Sequence, residues 1–282
     1  MDNIKVYAFA DEASPVIDEQ IAAMKRNRLD GIEIRNADGV NVSELTAQKA
    51  KEIAKKLSNN GLSVWSVGSP IGKINIATDD FEKHFDKFKH TVEIADLLGA
   101  DNIRIFSFFI PWGDNPDNYK NAVIDRLGQM LEVVKGSKIE LCHENEKGIF
   151  GDIASRCLEL HTALPDLKGI FDPANFIQCK QDTLQAWDML APYIKYMHIK
   201  DALADGNVVP AGKGDGKLKQ IVADFISKGG NSFTIEPHLT VFDGLKVLER
   251  EGEQSGIGLY RYPDSNSAFD AACSAFREVL KK

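Results

Sequence analysis

Two hydrophobic periods alternate along the chain. Short apolar runs rich in β-branched residues stand at 4–10 (IKVYAFA), 31–35 (GIEIR), 62–67 (LSVWSV), 102–108 (NIRIFSF), 138–144 (KIELCHE), 168–172 (KGIFD), 194–200 (IKYMHIK) and 232–236 (SFTIE). Their length and composition predict strands. Between them the apolar spacing changes to threes and fours. Phe81, Phe85, Phe88, Val92 and Ala95 follow it, as do Ile153, Cys157, Leu160 and Leu164, and then Phe269, Cys273, Phe276 and Leu280. That spacing lines one face of a helix. Ser14 with Pro15, Asp152 and Asp182 mark helix starts, and Pro192 follows a helix end.

Eight predicted strands alternating with helices, at roughly 35 residues per unit, are the count and length of a (β/α)8 TIM barrel. The expected fold is α/β, a single domain over 1–282, with no linker-like stretch dividing it. A doubly wound sheet is the runner-up, but "FADEASP" stands where that fold places a Gly-rich turn after its first strand. The segment 237–267 is the longest connection, and a short helix or lid is expected within it.

Composition narrows the partners. The 282 residues are 43% apolar and 27% charged, with a net charge of −8. An acidic chain repels polyphosphate, so nucleic acid is not an expected partner. The most apolar stretch, "FSFFIPW" (106–112), is too short to span a bilayer, and the opening "MDNIKVYAFADE" has no signal-peptide pattern. Cys142, Cys157, Cys179 and Cys273 show neither metal-type nor redox-type spacing, and three of them fall on predicted core faces. This suits reduced thiols and a cytoplasmic protein. An exposed barrel face is compatible with a homo-oligomer.

In such a barrel the C-terminal strand ends face the active site. Strands five to eight end in Glu144, Asp172, His198 and Glu236. Adjacent strands lie roughly 4.8 Å apart, so the four side chains can converge on one half of the mouth. Carboxylates this close repel unless a cation offsets their charge. Three oxygens and one imidazole suit Mn²⁺ or Mg²⁺, with Co²⁺ or Zn²⁺ as alternatives. One of these residues alone would carry little weight, since a strand histidine is often a core residue and Asp before Pro is often a turn.

The motifs "HEN", "FDPANF", "HIKD", "AGKGDG" and "IEPH", in this order, resemble those of the sugar-phosphate isomerase/epimerase superfamily, the xylose isomerase-like TIM barrels. The resemblance covers essentially the whole chain. It implies one divalent metal held by Glu144, Asp172, His198 and Glu236, with Glu144 and Glu236 also acting as the catalytic acid and base. The implied chemistry is proton abstraction next to a carbonyl of a sugar or keto-sugar, phosphorylated or not, through an enediolate. Opposite faces of one carbon give epimerisation, and neighbouring carbons give aldose–ketose isomerisation. The analogy favours a 3-epimerase. A metal-dependent dehydratase of inosose type, which shares the enolisation, and a non-catalytic sugar-binding barrel are the alternatives.

Other polar residues at the mouth are candidate substrate contacts. Lys200 follows His198 by two and points the same way. Asn175 stands where several epimerases of this kind carry histidine, a departure that weakens a direct sugar contact. Glu146, Ser69, Lys73 and Arg104 complete the substrate-binding set, and Glu12, Glu33 and Arg35 stand at or near strand ends as well. His238 is placed beside Glu236, and Trp65 and Trp112 are candidates to cover a ring face. His84 and His90 read as helix surface, and His143 as packed against the outer helices. The loop 209–218 (VPAGKGDGKL) offers backbone amides to a phosphate, against the simpler reading of a turn capped by Asp215. An apurinic-site endonuclease on this scaffold needs further histidines, and "EIRNA" and "VGSP" lack them.

Overall fold

The computed structural model describes residues 3–242 and 256–281. Eight parallel strands close into a barrel: Lys5–Ala8, Gly31–Ile34, Ser63–Val67, Asn102–Ile105, Glu140–Glu144, Lys168–Phe171, Ile194–Ile199 and Ser232–Ile235. They are referred to below as strands one to eight. Each falls within a predicted run. Strand eight pairs with strand one, Ser232 against Lys5 through Ile235 against Ala8, so no sheet edge remains and the doubly wound alternative is excluded. Strand two approaches strand three so closely that a Cβ on Gly31 would lie 2.0 Å from the Ser63 carbonyl oxygen. Glycine is the residue that fits there. Their pairing then skips Trp65, passing from Ile32↔Val64 to Glu33↔Ser66.

Helices cover the outside in the expected alternation. They are Ile17–Arg26, Ala47–Asn59, Phe81–Leu98, Lys120–Val134, Ala154–Ala163, Thr183–Leu190, Leu218–Ser227 and Ser265–Leu280. A short extra helix, Pro173–Gln178, follows strand six. Asp182 caps its helix as expected, accepting from the Gln185 amide at 2.8 Å. Asp152 does not cap; it pairs with Arg156 instead. Ser14 sits three residues before Ile17 and braces the entry turn by accepting from the Val16 amide.

The helix Phe81–Leu98 buries a different stripe from the one expected. His84, Phe88, Thr91, Ala95 and Leu98 face the barrel, while Phe81 and Phe85 are half-buried and stack on each other. His84 is therefore a core residue, contrary to the surface reading. The buried polar atoms are paired: His84 Nε2 accepts from the Gly72 amide at 2.8 Å, and the Thr91 hydroxyl donates to the Lys87 carbonyl at 2.8 Å. His90 is half-exposed, with Nε2 2.9 Å from the Leu45 carbonyl.

Alternation along the strands sorts side chains between the barrel interior and the helices. Cys142, Ile170 and Tyr196 form an interior cluster with Trp65 packed against it. Trp65 stacks on Tyr7 at 5.2 Å and serves the interior. His143 points outward, with Nε2 2.9 Å from the Ser107 hydroxyl and its ring beside His161. All four cysteines are free thiols, and three are buried. Among the described residues, no helix is long and apolar enough to cross a membrane. Of the long connection after strand eight, 243–255 lie outside the described residues, and with them most of the expected helix or lid.

Candidate metal and acid–base centre

Four strands deliver the central side chains. Glu144 ends strand five, Asp172 follows strand six, His198 lies on strand seven and Glu236 follows strand eight. One ligand atom from each lies within 4.8 Å of all the others, and all four residues are buried. Ligands at metal–oxygen distances of about 2.0–2.2 Å around one ion span at most about 4.4 Å, so small rotations would seat an ion. Asp172 Oδ1 accepts from the Asn175 amide at 3.0 Å, which turns Oδ2 to the centre, where it receives no directed hydrogen bond. A buried carboxylate oxygen with an ion-pair contact to Lys200 but no directed hydrogen bond, amid two further carboxylates and an imidazole, fits a divalent cation.

His198 is fixed from both sides of its ring. Nδ1 lies 3.0 Å from Glu144 Oε1 and 3.7 Å from Glu236 Oε2, and Nε2 lies 3.1 Å from Glu33 Oε2. Burial opposes its charge, but Glu144 and Glu33 raise its pKa to about 10. Glu33, from strand two, also accepts from the Tyr196 hydroxyl at 2.9 Å and the Ser66 hydroxyl at 3.3 Å.

Each glutamate has a buried arginine. Arg104 Nη1 lies 3.2 Å from Glu144 Oε2, and Arg35 Nη1 lies 3.5 Å from Glu236 Oε1. Both guanidiniums lie over the ring of Phe9, at 4.5 Å for Arg35 and 4.9 Å for Arg104. Burial works against ionisation of Glu144, yet His198 and Arg104 hold its pKa down at about 2. Glu236 is likewise buried and is held well below the usual range by Lys200, His238, His198 and Arg35. Asp172 goes the other way. Burial, Glu236 and Glu144 push it up to about 7 although the Lys200 ammonium opposes them.

The secondary candidates take different places. Lys200 reaches the centre itself, 2.9 Å from Asp172 Oδ2 and 2.8 Å from Glu236 Oε2. Asn175 braces the centre, its amide donating to Glu144 Oε1 at 3.3 Å and the Asn145 carbonyl at 2.9 Å. Lys73 and Glu146 pair with each other at 2.9 Å across two loops at the mouth. The Ser69 hydroxyl is turned to the backbone, donating to the Arg104 carbonyl and accepting from the Ile71 amide. Trp112 is 66% exposed on the loop after strand four.

The glycine loop does not present open amides. Gly212, Gly214 and Gly216 donate to the Asp201 carboxylate at 2.9, 3.0 and 3.0 Å. An internal anion fills this nest, which removes the phosphate reading of these groups. Asp215 accepts from the Ala204 amide and caps nothing, since the next helix begins after Lys217 in a left-handed conformation. The strand-end residues were legible in the sequence, and so was a supporting place for Asn145 at the loop; Phe9, Asp11 and the Glu33–His198 contact were not. Asn145 exchanges two 3.0 Å hydrogen bonds with the Asp172 backbone. A polar residue directly after a strand-end glutamate was the available signal.

The profile of the xylose isomerase-like TIM barrels matches residues 21–251. No curated protein sequence matches the chain. Solved structures superimpose on nearly all of it at low identity. The probable 3-DHS dehydratase AsbF of Bacillus anthracis aligns at 15% identity and TM-score 0.72, covering 97% of this chain and 98% of that one. An IOLI protein with a bound zinc atom aligns at 14% and 0.72, covering 98% of each. The D-psicose 3-epimerase of Clostridium cellulolyticum H10 aligns at 14% and 0.72, covering 99% and 100%. At these identities the likeness is one of fold. With the family profile matching most of its length and the closed eight-stranded barrel it describes in place, the chain belongs to the xylose isomerase-like TIM barrel family.

Proposed function

We propose that the protein is a divalent-metal-dependent isomerase or epimerase of a ketose or keto-sugar. The observation that carries this reading is the convergence of Glu144, Asp172, His198 and Glu236 from four successive strand ends, buried and within 4.8 Å of one another. These four would hold the ion. When bound, it supplies Lewis acidity, withdrawing electrons from a carbonyl oxygen and acidifying the neighbouring C–H.

The chain's own groups do the rest. Glu144 and Glu236 come to the centre from strands five and eight, each paired with its own arginine, and one carboxylate takes the proton while the other returns one. Glu144 Oε2 is held by Arg104, and Asn175 braces Oε1. Glu236 Oε1 faces Arg35 and His238. Burial of both carboxylates excludes water from the proton transfers. Two acid–base groups serve epimerisation or isomerisation, and a non-catalytic sugar-binding barrel has no use for them.

Incubation of Mn²⁺-loaded protein with a panel of ketoses and keto-sugars in D₂O tests the reading. The expected result is deuterium at the carbon beside the carbonyl, lost in Glu236→Gln and on metal removal. Product analysis separates the outcomes: a diastereomer marks an epimerase, an aldose marks an isomerase, and loss of water marks a dehydratase. No exchange on any panel member, with metal bound, would count against the proposal.

A further inference from the structure

Two clusters at the mouth bring ligand atoms close enough for a cation: Glu144, Asp172, His198 and Glu236, and separately Glu12, Glu236 and His238. Each already contains a basic side chain. Lys200 Nζ lies in the first, 2.9 Å from Asp172 Oδ2 and 2.8 Å from Glu236 Oε2. Arg35 lies in the second, 3.1 Å from Glu12 Oε1 and 3.5 Å from Glu236 Oε1.

The two cations differ in how firmly they are fixed. Arg35 is clamped away from the cluster as well as within it. Its Nε and Nη2 donate to both oxygens of Asp11 at 2.8 and 3.0 Å, and its guanidinium lies over Phe9 and Phe242 at 4.5 and 4.6 Å. A planar fork held this way does not leave its site. Lys200 is a point charge on a flexible stem, held at its tip by two carboxylates that a metal would need. Its grip on Asp172 is loose: the ammonium is at ion-pair distance, yet Oδ2 receives no directed hydrogen bond. Oδ1 is already taken by the Asn175 amide, so the oxygen Lys200 occupies is the one left for an ion.

We propose that Lys200 is an exchangeable internal cation. Its ammonium holds Asp172 and Glu236 together in the metal-free protein and is displaced from them when a divalent ion binds, while Arg35 fills the second cluster permanently and limits the chain to one ion. The inference rests on the metal-site reading above. It accounts for how three carboxylates stay buried side by side before any metal arrives. It also gives Lys200 a position from which, once displaced, it can donate to a substrate oxygen at the same mouth.

Calorimetric titration of metal-stripped protein with MnCl₂ tests this, together with melting temperatures with and without Mn²⁺. Wild type is expected to take one ion per chain. Lys200→Met is expected to bind it about tenfold tighter, because no cation has to be displaced. The metal-free variant is also expected to melt lower than wild type, so that the rise in melting temperature on adding Mn²⁺ widens. Lys200→Gln provides the same comparison with a smaller polar side chain. Equal or weaker binding in both folded variants overturns the exchange, and two ions per wild-type chain overturn the role of Arg35. If wild type binds neither Mn²⁺ nor Mg²⁺, Co²⁺ or Zn²⁺, the metal-site reading itself fails and the inference with it.

Discussion

His198 Nε2 lies 3.1 Å from Glu33 Oε2, on the side of the imidazole away from Glu144. A ring nitrogen that donates to a carboxylate leaves the other nitrogen's lone pair for a metal, with its direction set by the acceptor. Glu33 is itself pinned by the hydroxyls of Tyr196 and Ser66, which are 3.0 Å apart. This triangle holds His198 from the side opposite Glu144, where it would orient the imidazole toward an ion. Glu33→Gln is therefore expected to weaken Mn²⁺ binding by roughly 10–100-fold, with Tyr196→Phe giving a smaller loss. Calorimetry on metal-stripped protein reads both, and an unchanged affinity in Glu33→Gln would remove Glu33 from this role.

Arg104 and Glu144 form the second relationship with a measurable consequence. Both are buried, at 3.2 Å, and Arg104 Nη2 also donates to the Gly68 carbonyl at 3.1 Å. Arg104→Met keeps much of the side-chain volume but leaves Glu144 with less counter-charge in a dry site. Removing one partner of a buried pair costs about 3–5 kcal/mol. The metal-free variant is expected to lose stability on that scale in urea unfolding, and saturating Mn²⁺ is expected to recover part of it. A loss below 1 kcal/mol would mean that His198 alone compensates Glu144.

Much of this architecture was legible in the chain. The eight strands follow from apolar runs of β-branched residues, and the convergence of Glu144, Asp172, His198 and Glu236 follows from their place at strand ends. The helix Phe81–Leu98 shows where local pattern stops deciding. Both candidate stripes of 81–98 have helical spacing, and hydrophobicity prefers the one with Phe81 and Phe85. The fold chose the stripe with His84 and Thr91 because the Gly72 amide and the Lys87 carbonyl satisfy them. The Lys87 carbonyl is one turn back in the same helix, but Gly72 belongs to the loop after strand three, and no local pattern announces it. The same holds for Arg35 with Asp11 and for Asp201 with the glycine loop, pairs joined only by closure of the barrel and folding of its loops.

Asp201 makes the glycine loop an internal receptor. Besides Gly212, Gly214 and Gly216, the Ala202 amide donates to it, at 3.0 Å. A Cβ on Gly214 would fall 2.4 Å from both the Ala202 carbonyl oxygen and Asp201 Oδ1. Gly214→Ala is expected to open the loop and destabilise the protein. Asp201→Ala leaves the buried Gly216 and Ala202 amides unpaired, at about 1–3 kcal/mol for each. It also vacates a nest suited to anions. The expected signature is a melting temperature lowered in Asp201→Ala and partly restored by sulfate or phosphate, with little response in wild type. Absence of anion rescue in a folded variant would show that the loop collapses without its carboxylate.

Three buried histidines give the protein a defined weakness to acid. Burial holds His84 at about 4 and His161 at about 4, and burial with the neighbouring His161 holds His143 at about 3, against an ordinary value of 6.5. The unfolded chain thus takes up protons near pH 6.5 that the folded protein refuses until near pH 4 or below. Between those values the unfolded state binds more protons, so stability rises with pH; it is complete above about 6.5 and falls as pH drops toward 4. His84 alone accounts for a loss on the order of 2 kcal/mol at pH 5. His84→Gln removes this titration, because a glutamine oxygen takes no proton in this range. Urea midpoints measured from pH 7.5 to pH 5 are expected to fall less steeply for His84→Gln than for wild type. Parallel profiles would place the acid sensitivity of this pH range in His143 and His161, since carboxylates held low give up their contribution only below their unfolded pKa.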